Sequence, residues 1–325
     1  MTLPRVGFLG TGWIGRHRME AMVATGAIGV AAICDPSPDC LADARALAPQ
    51  AAVVDSLDAM LALGLDGVVI ATPSALHAEQ AVAALEAGAA VFCQKPLGRS
   101  AAETRRVIDA ARAADRLLGV DLSYRHTEGM RRIAALVRGG TLGEVFAVDL
   151  TFHNAYGPGK PWFFDPAQSG GGCVIDLGVH LVDLALWTLG FPPVADVEAT
   201  LLARGAPLTP DTVEDYAVAR FTAGGATVRL ACSWNLNAGR DAVIEAAFYG
   251  TSGGAALRNV AGSFYDFTAQ HFTGTRSDTL AEPPDAWGAR SAAVWAEQLA
   301  ASLRFDPAAD DFVRSAEVLD RIYGR

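Results

Sequence analysis

Near its start the chain carries three glycines spaced so that a strand must turn tightly into a helix. Val6-Gly7-Phe8-Leu9 is an apolar, strand-forming run, and Gly10-Thr11-Gly12-Trp13-Ile14-Gly15 follows it directly. A charged, helix-forming run occupies residues 16–22, and Asp35 follows the apolar run 28–34, twenty residues after Gly15. Gly10 permits the tight turn, Gly12 lets the backbone approach a pyrophosphate, and Gly15 lets helix and strand pack closely. The first helical turn then offers free N–H groups and a positive dipole end to phosphates. A lone G-x-G-x-x-G fits any glycine-rich turn. A strand before it, a helix after it and an acid at this distance make it a dinucleotide-binding fingerprint. Its candidate contact residues are Gly10, Thr11, Gly12, Trp13, Ile14 and Gly15.

Asp35 bears on which dinucleotide fits. A carboxylate at the tip of the second strand accepts hydrogen bonds from a ribose diol and repels a 2′-phosphate. Pro36, Ser37 and Pro38 follow, with no arginine to pair with that phosphate. NAD is therefore expected in preference to NADP. The other reading of Asp35 is a surface-turn residue.

Composition limits the partners. A length of 325 residues suggests two domains with ample core. Apolar residues make up 51% and charged residues 19%, the mix of a folded enzyme rather than a disordered chain. A net charge of −10 and the lack of a basic block make nucleic acid and anionic membrane surfaces poor partners. No apolar run is expected to span a membrane. The first strand begins almost at Met1, leaving no room for a signal peptide, so a cytoplasmic location is expected. The five cysteines are scattered and form no C-x-x-C pair, which argues against a disulfide framework or a structural zinc site.

Residues 1–122 alternate between strand-like and helix-like runs, which predicts a parallel sheet with right-handed crossovers. Strands are expected near residues 5–9, 28–34, 51–54, 67–71, 90–94 and 117–121. Ser100 and Glu103 form a capping box for one helix. Beyond residue 122 the strand-like runs 145–152, 194–202, 213–222, 227–235 and 243–249 carry few helices between them, which predicts an antiparallel or mixed sheet. A helix near 172–189 interrupts them, and helices return near 289–303 and 310–323. The expected fold class is thus α/β: a doubly wound domain over 1–122, then an α+β domain over 123–325. Alternating residues such as Val228, Leu230 and Cys232 read as a sheet face in need of cover by another subunit, hence a homodimer or homotetramer. Gly250-Thr251-Ser252-Gly253-Gly254 fits the G-x-S-x-G of serine hydrolases, but a strand-like run, Ala255-Ala256-Leu257, follows where that motif needs a helix.

Two segments carry candidate chemistry. Lys95, in Gln94-Lys95-Pro96, ends the fifth strand, on the edge where open α/β sheets bind ligands. A lysine there can hydrogen-bond a substrate hydroxyl and favour its alkoxide; read alone, it is better taken as a solvated strand-end residue. Pro96 is a candidate for a cis bond. In the glycine-led helix, Asp176 and His180 stand four apart and share a face, with Asp183 near it. A carboxylate and an imidazole within reach of one substrate form a general-base arrangement. The same pair also reads as a capping or core pair, or as part of a zinc site, although no H-E-x-x-H supports a metal.

These motifs together resemble the glucose–fructose oxidoreductase and inositol dehydrogenase family, Gfo/Idh/MocA, over essentially the whole chain. The family's Glu-Lys-Pro appears as Gln94-Lys95-Pro96, and its Asp-x-Gly-x-His-x-x-Asp as residues 176–183. Ala71-Thr72-Pro73 with His77 resembles its cofactor-side loop after strand four. The resemblance implies a Rossmann domain followed by an open-sheet domain. It implies Lys95, Asp176 and His180 as the catalytic set, with Thr72, Pro73, His77 and Lys95 near the cofactor. Gln94 departs from the pattern: a neutral amide would not stabilise a charged lysine as a carboxylate does.

The expected activity is hydride transfer between a secondary alcohol of a sugar, cyclitol or related polyol and the nicotinamide of NAD. A redox-recycling lyase or glycosidase, or a non-catalytic NAD-binding sugar sensor, is the alternative. The loop containing His153, Asn154, Tyr156, Lys160 and Trp162 could donate hydroxyl-binding groups and a stacking face, and Tyr124 and Arg125 are similar candidates. Each of these residues reads equally as loop or hinge packing.

Overall fold

The computed structural model describes residues 2–209 and 211–325, which divide into two compact units. The first comprises residues up to 121 together with 289–313. Its sheet contains β1 (Arg5–Leu9), β2 (Gly29–Cys34), β3 (Ala52–Val53), β4 (Gly67–Ile70), β5 (Ala90–Cys93) and β6 (Leu118–Val120). The order is β3-β2-β1-β4-β5-β6 and every pairing is parallel. The intervening helices are α1 (Trp13–Ala24), α2 (Pro38–Leu47), α3 (Leu57–Leu61), α4 (Ser74–Glu86) and α5 (Ala101–Ala114). Ser100 Oγ accepts from Glu103 N at 3.2 Å, while the Glu103 carboxylate turns to Arg99 rather than closing a reciprocal box. Strand order reverses between β1 and β4, which opens a crevice at the carboxyl ends of the strands.

Residues 289–313 belong to this first unit, whereas the sequence reading put everything after 122 in the second. Trp295, buried at 2% exposure, explains the return. A Cβ on Gly67 would lie 2.9 Å from its ring, and one on Gly119 would lie 2.6 Å away. Two strand glycines thus form a notch for this indole, which also packs on Phe92.

The second unit comprises residues 122–288 and 314–325. Its helices are α6 (Glu128–Arg138), α7 (Pro166–Ser169) and α8 (Val179–Leu189). Its strands are β7 (Val145–Asn154), β8 (Val194–Ala203), β9 (Ala206–Pro207), β10 (Tyr216–Ala223), β11 (Ala226–Ser233), β12 (Ala242–Gly250), β13 (Gly254–Asn259), β14 (Phe267–Thr273) and β15 (Arg276–Ala281). They form one sheet in the order β15-β14-β13-β12-β7-β11-β10-β8-β9. Its pairings are antiparallel except β7 with β11. The hairpin from β12 to β13 runs through residues 250–254, so the G-x-S-x-G match is a turn between strands. Two later helices follow, α9 (Arg290–Ala301) in the first unit and α10 (Asp311–Ile322), whose residues from 314 belong to the second.

Two expectations are corrected here. Val228, Leu230 and Cys232 are buried inside the second unit's own core, packed with Leu181, Val182 and Phe152, so their burial needs no second subunit. Alternation shows which residues share a face, not which face turns inward. The opposite face carries the ion pairs Arg229–Asp149, Arg220–Glu198 and Arg258–Glu245, with Val218 exposed. Second, residues 166–189 do form a helical stretch long and apolar enough to cross a membrane by length and composition. Most of it is buried in the core, which accounts for its apolarity.

Candidate active site

The fingerprint has the geometry its glycines imply. Gly10 has φ +88°, and a Cβ there would lie 2.5 Å from the Ala71 carbonyl oxygen. A Cβ on Gly15 would lie 2.1 Å from the Gly10 carbonyl oxygen, so helix and turn can approach only without it. At Gly12 a Cβ would meet nothing within 4 Å. That open space, at the first turn of α1, is where a pyrophosphate can reach the backbone. Asp35 Oδ2 accepts from Thr11 N at 2.6 Å, and Oδ1 accepts from Ser37 N at 2.9 Å. The carboxylate is thus oriented by its own turn, and each oxygen keeps a further lone pair for a diol. Ile14 is half-buried, whereas Trp13 is 60% exposed and stacks on His17. These residues fit a dinucleotide.

A buried histidine ties two neighbouring loops together. His77 Nε2 lies 2.8 Å from the Thr72 carbonyl oxygen, and Nδ1 lies 2.7 Å from that of Pro96. Thr72 Oγ1 donates to Gln80 Oε1 at 2.6 Å, and Pro73 stands at the N-cap position of α4 without a side-chain capping bond. The Lys95–Pro96 bond is cis. His77 thus fixes the backbone beside Lys95 from β4's side, a stapling role that the sequence alone did not reveal. Burial is the largest influence on its pKa and lowers it; the two carbonyl contacts oppose that shift. A lowered pKa means the unfolded chain takes the proton first. The stability this group contributes is full above about 6.5 and declines as pH falls below it. Urea unfolding at pH 8 and pH 5 should therefore show a smaller pH-dependent loss for His77→Gln than for the parent. Equal losses would remove His77 as the cause.

In the second unit the glycine run is held by a group with no motif. Glu214 is 1% exposed, and its carboxylate accepts from Gly172 N (3.0 Å), Val174 N (2.9 Å) and Tyr323 Oη (2.7 Å). Tyr323 Oη in turn accepts from Ile175 N at 3.1 Å, and Arg325 donates to the Gly170 carbonyl at 3.0 Å. A Cβ on Gly172 would lie 1.9 Å from the Glu214 carbonyl oxygen. Burial pushes the Glu214 carboxyl up against these anion-favouring hydrogen bonds. The segment so anchored, Val174–Gly178, is a π-helical turn that runs into α8, an irregularity common at functional sites.

Asp176 lies on that turn and accepts from Trp234 Nε1 at 3.1 Å. Trp234 is walled by Phe163 and Phe164, and Trp162 stacks on Phe163. His180, 7% exposed, packs edge-on to Tyr124 at 4.9 Å between centroids. Asp183 is bound by Arg125, with Nε 2.7 Å from Oδ2 and Nη2 on Oδ1. Half-buried Arg125 thus pairs with buried Asp183 on α8.

The other substrate candidates divide by environment. Tyr124 is buried among Phe152, Phe267 and Trp287, and burial pushes its phenol up. His153 bonds Ser233 Oγ through Nδ1 at 2.8 Å and stacks on Tyr216, and burial lowers its pKa. Asn154 Oδ1 is buried without a hydrogen-bond partner, whereas Tyr156 and Lys160 are exposed. All five cysteines carry free thiols. Among the described residues no group of three or more His, Cys, Asp or Glu side chains is arranged to hold a metal.

Comparison with known proteins supplies the family. Residues 4–122 match the oxidoreductase family with an NAD-binding Rossmann fold, and residues 130–256 match the GFO/IDH/MocA C-terminal domain. The chain is 31% identical over 273 residues to D-glucoside 3-dehydrogenase of Escherichia coli (strain K12), covering 78% of this chain and 76% of that protein. The crystal structure of GenD2 from gentamicin A biosynthesis, in complex with NAD, is similar with a TM-score of 0.82 at 25% identity, covering 100% of this chain and 94% of that one. KijD10, a 3-ketoreductase from Actinomadura kijaniata in complex with NADP and TDP-benzene, shares the fold with a TM-score of 0.83 at 23% identity, covering 99% and 98%. The chain belongs to the GFO/IDH/MocA family of oxidoreductases.

Proposed function

We propose that this protein is an NAD-dependent dehydrogenase that oxidises a secondary alcohol of a sugar, cyclitol or related polyol. The observation that carries the reading is the joint presence of a formed dinucleotide fingerprint and the Asp176/His180 helix anchored by Glu214. The likeness to a D-glucoside 3-dehydrogenase supports the substrate class. Bound at the fingerprint, NAD supplies the acceptor for the hydride of the alcohol carbon. His180 takes the hydroxyl proton as general base, and Lys95 stabilises the developing alkoxide. Asp176, fixed by Trp234, orients substrate or imidazole. The aromatic group of Trp162, Phe163, Phe164 and Trp234 offers a sugar ring an apolar face beside Asp176. Family resemblance further supports a homodimer or homotetramer, which light scattering at micromolar concentration tests.

A panel of sugars and polyols with NAD, followed by absorbance of NADH and by product analysis, tests the activity. Net NADH with a matching ketone supports a dehydrogenase; product without net NADH indicates a redox-recycling lyase or glycosidase instead. NAD is the preferred cofactor in this reading because the Asp35 carboxylate, oriented by Thr11 and Ser37, faces ribose hydroxyls well and a 2′-phosphate badly. Exposed Trp13 at the fingerprint gives a fluorescence reporter. Asp35→Ser should weaken NAD binding by about 10- to 100-fold, the worth of hydrogen bonds to a charged group, and narrow the preference over NADP. Equal parental affinity for the two dinucleotides would overturn the preference.

A further inference from the structure

Gln94, the one departure in the lysine motif, meets a buried carboxylate. Its Nε2 donates to Asp121 Oδ2 at 2.7 Å. Asp121 is 2% exposed. The same Oδ2 accepts from Arg18 Nε at 2.6 Å, and Oδ1 accepts from Ser291 Oγ. Cys93 and Val120 pair in register, so Gln94 and Asp121 are each the next residue beyond that pair. Asp121 N donates to the Cys93 carbonyl at 2.9 Å. One carboxylate thus joins α1, the ends of β5 and β6, and α9, and its side-chain partners are all donors, as an ionised carboxylate requires.

Charge decides what residue 94 can be. Arg18 supplies one positive charge here and Asp121 one negative. A glutamate at 94 would set a second carboxylate at hydrogen-bond distance from the first, in a buried place. One of the two would have to take a proton or move away. Glutamine keeps the length and turns an acceptor into a donor. We infer that Asp121 carries the negative charge that the family motif places at residue 94, and that through the Gln94 amide it is the positioning residue for Lys95, the next residue in the chain. The role of Lys95 rests on the dehydrogenase reading; the pairing of 94 with 121 does not.

The test is the set Q94E, D121N and Q94E/D121N, read for melting temperature, NAD affinity and kcat. Q94E should lower the melting temperature and cut kcat about tenfold, as expected for directly coupled charges. The double variant returns one carboxylate and one amide with their places exchanged. It should recover the melting temperature and bring kcat to within about threefold of the parent. A double variant that loses as much as the two single losses combined overturns the exchange. A recovered melting temperature with kcat still depressed overturns the positioning of Lys95. Absence of turnover in the parent counts against the dehydrogenase reading alone, since the melting temperatures still decide the pairing.

Discussion

His180→Ala is expected to cut turnover by about 100- to 10,000-fold, the usual cost of losing a general base, while NAD affinity stays nearly unchanged. The imidazole lies on α8 in the second unit and the fingerprint lies in the first, so the substitution leaves every fingerprint contact described above intact. Lys95→Ala should also lower turnover. Because both groups are proposed to act on one hydroxyl, the double variant should fall by less than the product of the two effects. Asp183→Asn should act mainly through stability, because Asp183 is already committed to Arg125. Normal melting and normal NAD binding are the controls for His180→Ala and Lys95→Ala. Near-parental turnover of His180→Ala on the true substrate would move the proton acceptor elsewhere and leave the helix a packing element.

Glu214→Ala is the substitution with the largest expected effect on the fold. It leaves the buried donors of Gly172, Val174 and Tyr323 facing no acceptor. A cost of about 3 kcal/mol follows from unpaired groups that had bonded a carboxylate. In a domain of this size that corresponds to a fall of roughly 6–12 °C in melting temperature. Glu214→Gln can keep its amide oxygen at the Oε1 position, which accepts from Gly172 N, Val174 N and Tyr323 Oη alike, and gives up only the second Gly172 contact at Oε2, so it should recover much of the loss. Because the same contacts fix the π-helical turn that carries Asp176, kcat should fall more than substrate affinity in the surviving folded protein. Tyr323→Phe, which removes one donor and the acceptor for Ile175 N, should cost less than Glu214→Ala. If Glu214→Ala melts within a degree of the parent, the carboxylate does not anchor the helix.

The contrast between His180 and Glu214 shows what the sequence could tell. The fingerprint was legible because its glycine spacing, flanking strand and helix and following acid form one contiguous pattern, although the close approach of Gly10 to Ala71 that it answers is made only in the fold. The parallel sheet and the crossover helices follow from short-range periodicity, whereas the four-residue spacing of Asp176 and His180 gave no sign of the π-helical turn on which Asp176 sits. Glu214 was not legible, because its backbone donors lie 40 and 42 residues away along the chain, Tyr323 lies 109 away, and its own segment carries no motif. The return of residues 289–313 to the first unit was hidden for the same reason. Its signals were Trp295 and two strand glycines, Gly67 and Gly119, that make sense only once paired in space. Val228, Leu230 and Cys232 mark a different limit, since period-two alternation is the same whether the face is covered by the chain's own helices or by a partner.

The most direct test of hydride transfer uses the best substrate from the panel, deuterated at the carbon bearing the reacting hydroxyl, with mass analysis of the reduced nicotinamide. One deuterium per reduced cofactor, formed in step with the ketone, is the expected result. A product that forms while the accumulated reduced cofactor stays unlabelled, or while none accumulates, would contradict a dehydrogenase acting on that carbon.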